Sequence, residues 1–135
     1  MKRFLVSAAL LLVGACQPDP TPRIVGEWTP VNIDDCGSEG ATVTITDRGL
    51  TYRAGRSELE LIKIGGITQV ESYADLSGRF RLYPPDPDKM WGDETTLRLE
   101  VTGNEVRPIG FVESDGTILQ MDSGMRQVLT MRRCP

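Results

Sequence analysis

The sequence predicts an all-β fold: a small antiparallel up-and-down barrel of about eight to ten short strands, following an export leader and a proline-rich tether. Three observations predict it. Apolar and polar residues alternate with a period of two along most of the chain beyond residue 24, the mark of strands with one wet face. Turn-forming clusters recur between the alternating runs. The 135 residues allow one domain, and closing a small Thr-rich sheet on itself removes its exposed edges. Composition narrows the function classes as well. The chain contains no His. That excludes a Ser-His-Asp triad, a Cys-His nucleophile, a His-ligated metal and a His pH switch.

Lys2 and Arg3 precede an apolar run, Phe4 to Val13, which small residues follow at Gly14 and Ala15. This is the layout of a secretory signal. Ten apolar residues rise only about 15 Å as a helix, half a bilayer core, so the run is too short for a permanent span. Val13-Gly14-Ala15-Cys16 resembles the lipobox of bacterial lipoproteins. The resemblance implies lipid transfer to the Cys16 thiol, cleavage before Cys16 and acylation of the new amino terminus. Several acyl chains, each buried methylene contributing about 0.8 kcal/mol, anchor a protein without a spanning helix. Gln17 stands where an Asp favours inner-membrane retention in the enterobacterial sorting rule, so the expected address is the outer membrane, facing the periplasm.

The division that follows is 1–15 leader, 16–23 lipidated Cys and tether, and 24–135 barrel. Pro18, Pro20 and Pro22 favour an extended polyproline II tether of roughly 20 Å. Loss of Lys2 and Arg3 with the leader takes the formal charge from −4 to −6. An acidic domain is repelled by nucleic acid, and no nucleic-acid partner is expected. With Cys16 lipidated, Cys36 and Cys134 remain. Two thiols in an exported chain, without Cys-x-x-Cys spacing, read as one structural disulfide closing a loop of about 100 residues.

Strands are expected near 24–33, 41–47, 50–55, 58–64, 67–73, 78–83, 95–102, 105–112, 117–122 and 126–133. Most carry an alternating run, such as Val43 and Ile45 among threonines, or Leu97, Leu99 and Val101 among polar residues. Turns are expected at Asp47-Arg48-Gly49, Gly65-Gly66, Gly103-Asn104, Ser114-Asp115-Gly116 and Asp122-Ser123-Gly124. The phase slips between Leu61 and Ile62, which a bulge explains. Val70 to Leu76 alternates poorly, and a short helix is an alternative there. In an even-stranded closed barrel Cys134 lies near the start of the first strand, whereas Cys36 follows that strand's end. Either the segment 33–41 folds back or the closure differs from the simple picture.

The first strand reads Ile24-Val25-Gly26-Glu27-Trp28. A Gly-x-Trp opening an all-β chain resembles lipocalins and other calycins, and the likeness extends to bacterial metalloprotease inhibitors. The resemblance implies that Trp28 closes one end of the barrel against a cation of the last strand, Arg132 or Arg133, with Arg132 taken for the pair. The longest loop, residues 84–94, carries four carboxylates, but the spacing fails the EF-hand pattern. No metal and no cofactor are expected. Trp91 is expected to fold back as a lid over the barrel, with Met90 and Trp91 as partner contacts the functional alternative. No local pattern singles out a carboxylate pair for glycoside hydrolysis, and no phosphate loop follows a strand, so no catalysis is expected. The expectation is a non-catalytic, lipid-anchored envelope protein whose barrel binds a protein or ligand. An inhibitor of a protease or other secreted hydrolase, and a lipocalin-like carrier, are the alternatives.

Overall fold

The computed structural model describes residues 22–31, 36 and 40–135. The leader, Cys16 and residues 17–21 of the tether lie outside the described residues. Among these residues nine strands and one helix follow in order: β1 (Gly26–Pro30), β2 (Ala41–Ile45), β3 (Gly49–Ala54), β4 (Ser57–Gln69), β5 (Tyr73–Asp86), β6 (Lys89–Thr102), β7 (Glu105–Val112), β8 (Ile118–Leu119), α1 (Ser123–Leu129) and β9 (Met131–Arg133). Strands β1 to β7 pair antiparallel with their sequence neighbours. β9 then pairs with β7 on one side and β1 on the other, which closes an eight-stranded barrel. β8 adds only a two-residue ladder to the far end of β7.

Period-two alternation sends one set of side chains inward. Val43 and Ile45 of β2, Leu76 of β5, and Leu97 and Leu99 of β6 are all inaccessible to solvent. They join Trp28, Leu50, Ile62 and Met131 in one core cluster. The barrel is thus filled by its own side chains, as a small eight-stranded barrel tends to be. The phase slip at Leu61 is a bulge. The partner of Leu50 is Ile62 and that of Thr51 is Glu60, so Leu61 is left over. The extra residue restores Ile62 and Ile64 to the inner face.

Several expected elements differ from those observed. Gly65-Gly66 is not a turn. A second register shift falls there, between Ile64 and Gly66, and β4 runs on to Gln69. Residues 67–73 are therefore not a separate strand. Nor is Val70–Leu76 a helix: the chain reverses at Val70–Ser72, and Tyr73 begins β5. Glycines at a bulge carry the same local signature as glycines at a turn, and only cross-strand pairing separates the two.

The 126–133 region is not one strand: its first half, to Leu129, ends helix α1, and only Met131–Arg133 is strand. Asp122, expected in a turn, is the N-cap of α1, its side chain accepting the Met125 N–H at 3.0 Å. Met121, Met125, Val128 and Leu129 recur at helical spacing and pack on the core. Residues 84–94 are not a loop but the outer part of the long β5–β6 hairpin.

Gly78 shows how closely the strands approach at the second register shift. A Cβ there would lie 2.0 Å from the Lys63 carbonyl oxygen. Gly78→Ala is expected to cost about 2 kcal/mol through overpacking. Gly66→Ala, with nothing within 4 Å of its added carbon, is expected to be near neutral. Urea unfolding of the two variants checks the pair.

Candidate functional site

One end of the barrel is closed by the segment before β1. Ile24 is fully buried, and its N–H donates to Gln69 Oε1 at 3.0 Å. Its carbonyl accepts the Trp28 indole N–H at 2.9 Å. Arg23 donates through Nη2 to the carbonyls of Val70 and Glu71 at the β4–β5 turn. The guanidinium of Arg133 lies 4.2 Å from the Trp28 ring centroid and donates to the Arg23 carbonyl at 2.6 Å. One cation thus stacks on the tryptophan and ties down the segment that seals the end.

The cation on Trp28 is Arg133, not Arg132. Trp28 pairs with Arg133 in register, and Arg132 stands opposite Thr29. In a strand, alternate residues share a face. Arg133 therefore follows Met131 to the inner side, while Arg132 is one residue out of phase. The same geometry explains Gly26. A Cβ there would stand 2.8 Å from Arg133 Nη1, and the backbone φ is +146°. Gly-x-Trp leaves room for the guanidinium.

Cys36 and Cys134 form a disulfide with their Cα atoms 5.9 Å apart. The Cys134 N–H donates to the Glu27 carbonyl at 2.9 Å, which places Cys134 beside the start of β1. The bond links Cys36 to that position across 98 residues of chain, so Cys36 stands beside the start of the strand it follows. Thr42, on β2, donates its hydroxyl to the Cys36 carbonyl at 3.2 Å. The bridge sits at the closing seam, where β9 contributes only three residue pairs to β1.

Away from this end, the β5–β6 hairpin outgrows the barrel. Pairing of β5 with β4 stops at Phe80, and pairing of β6 with β7 starts only at Thr96. Beyond these points the two strands pair with each other, at Arg81–Trp91 and Asp86–Lys89. Trp91 does not fold over the barrel as a lid. Its ring lies between Lys63 Nζ at 5.2 Å and Arg81 Cζ at 4.9 Å. Lys63 pairs with Arg79, and Arg81 shares its face, so Trp91 packs on the outer face. The two cations fix the root of the arm, and Met90 near its tip is 56% exposed.

A third feature was not legible as a site. Arg98 forms two bonds to Asp75, Nε to Oδ1 at 2.8 Å and Nη2 to Oδ2 at 3.0 Å. Its guanidinium also lies 4.0 Å from the Tyr73 ring centroid. The hydrogen bond to Asp75 holds the Arg98 pKa above its ordinary value, against the opposing effect of burial. Direct cross-strand pairing of Asp75 with Arg98 creates this contact. Neither residue announces it without the register.

At the β7–β8 turn, hydrogen bonding to Thr117 holds the Asp115 carboxyl below its ordinary value near 3.8. The sign follows: a depressed folded pKa contributes order above the unfolded value and loses it as pH falls through the folded one. The Thr117 amide resonance is expected to titrate with a midpoint below 3.8, and the Asp115→Asn variant to lack that titration.

Among the described residues, no group of three or more His, Cys, Asp or Glu side chains is placed to hold a metal ion. No described helix is long and apolar enough to cross a membrane. Fold and geometry define the class as a closed, side-chain-filled eight-stranded antiparallel barrel with a sealed end and a projecting hairpin. Comparison with protein-family models, curated proteins and solved structures finds no match for the chain.

Proposed function

We propose that the protein is a non-catalytic lipoprotein, anchored through Cys16 in the bacterial outer membrane, whose periplasmic barrel binds a partner protein of the envelope. The observation that carries this reading is the filled barrel with a projecting, clamped hairpin. A filled interior leaves the exterior for recognition. The arm offers Met90 on a support fixed by Trp91, Lys63 and Arg81. The lipobox residues Val13 to Cys16 and a disulfide suited to an oxidising compartment support the location. The Trp28–Arg133 pair supports the calycin-like resemblance. The packed core disfavours a small-molecule carrier.

The inhibitor reading keeps one route. The segment Arg23–Glu27 seals the barrel and is a poor candidate for insertion into an enzyme cleft. The hairpin tip is a rim element that reaches outward, and it is the part of the molecule on which inhibition would rest.

Crosslinked pull-down from the native envelope tests the main reading. Cys16→Ala is expected to move the protein from the membrane to the soluble fraction and to leave its leader uncleaved. Met90→Asp is expected to lose the captured partner while the fold is kept. Unchanged membrane fractionation of Cys16→Ala refutes the anchor, and unchanged capture by Met90→Asp refutes the arm as the contact.

A further inference from the structure

Among the described residues, the outer half of β6 has an unpaired backbone edge. Its partner β7 begins pairing at Thr96–Val112, and beyond Val112 the chain turns away, the Glu113 N–H bonding to the Thr117 carbonyl at 2.8 Å. Met90 to Thr95 therefore form a strand whose side towards β7 has no ladder. Six residues at about 3.3 Å each make an edge of roughly 20 Å. Exposed edges invite strand pairing, and proteins commonly block them with proline, charge or cover. The opposite edge of the same arm is blocked: β5 carries Pro84 and Pro85, and the connecting turn carries Pro87, none of which has an N–H to give. The β6 edge has no proline.

Charge selects the occupant. A surface cleft meets the inner end of this edge at Glu94 and Thr95 and extends across the sheet face from Glu113 to Asp75 of β5 and Thr68 of β4. Glu94 and Glu113 are exposed, and the Asp93 side chain is 98% exposed. Asp115 follows in the adjoining turn. The cations near this edge are engaged: Arg79 stands opposite Glu94 in the β5–β6 ladder, Arg81 and Lys63 flank the Trp91 ring, and Lys89 is turned to Asp93 at 3.5 Å.

We infer that the Met90–Thr95 edge of β6 takes an extended, basic segment of a partner polypeptide as an added strand, its Lys or Arg side chains meeting Glu94 and Glu113. Main-chain bonds supply affinity in this mode and the flanking charges supply selectivity. The inference deepens the proposed function, because it names the chemistry of the partner on the arm and rests on the barrel being a binding module.

The test uses the full chain in detergent, followed by backbone amide resonances. The probe is the blocked hexapeptide Lys-Val-Lys-Val-Lys-Val. Its companions are the same peptide N-methylated at alternate backbone nitrogens, and a Glu-Val hexapeptide. The expected result is shifts concentrated at residues 90–95 and 112–114. Binding should be at least tenfold weaker for the N-methylated and acidic peptides, and several-fold weaker for the Glu94→Gln, Glu113→Gln double variant. Equal binding of the methylated peptide overturns strand addition. Equal binding of the acidic peptide overturns the charge selection. No shift at about 1 mM probe, or shifts confined to another surface, overturns the site. Its failure is distinguishable from failure of the proposed function. Envelope capture that still depends on Met90 after a negative peptide result leaves a binding arm without strand addition.

Discussion

Trp28→Ala is expected to lower the unfolding free energy by about 3–5 kcal/mol, the largest effect of any single substitution proposed for this chain. The indole is fully buried and holds three things together. Its ring fills the sealed end of the barrel, its N–H satisfies the Ile24 carbonyl, and its face carries Arg133. Truncation leaves a cavity, removes the partner of a buried carbonyl and frees the arginine that ties the N-terminal segment. Trp91→Ala provides the contrast. That ring is partly exposed and stacks on two cations at the outer face, so about 1 kcal/mol is expected. Urea unfolding of both variants checks the ranking. Equal costs for the two tryptophans would mean that the end seal contributes little.

Loss of the disulfide is expected to cost about 2–5 kcal/mol, by reduction or in the Cys36→Ala, Cys134→Ala double variant. The chain-entropy argument favours the upper part of that range, because the closed loop spans 98 residues of sequence separation. Position adds a local effect. The barrel closes through β9, which gives three pairs to β1 and two to β7, and Cys134 is the next residue after that strand. Without the covalent link, amides of β1 and β9 are expected to exchange faster than those of β5 and β6, whose ladder is the longest in the sheet. Denaturant titration with and without reductant measures the first effect, and hydrogen exchange measures the second. Two free thiols in the unfolded, unreduced protein would refute the bridge itself.

Other parts of the barrel show how far local pattern reaches. Alternation along β2, β3, β6 and β7 was legible because each run buries one face, and a one-residue slip would expose it. The bulge at Leu61 was legible for the same reason, as a break in phase. Helix α1 left a readable trace in Asp122 and in Met121, Met125, Val128 and Leu129, but its Asp-Ser-Gly opening has the composition of a turn. The extent of the β5–β6 hairpin was hidden by its prolines, which read as a loop. The Asp75–Arg98 pair was hidden altogether, since 23 residues separate its members in the chain.

By itself the sequence determined the all-β class, most of the inward-facing set and the two cysteines available for a bridge. Those properties follow from side-chain period and residue type, which are local. Tertiary structure decided which cation stacks on Trp28, whether Gly65-Gly66 turns or bulges, where Trp91 packs and which strand edge stays open. Each of these depends on register between distant strands. Closure through the short β9 sets that register at the seam, where Trp28 meets Arg133 and Arg132 falls one residue out of phase.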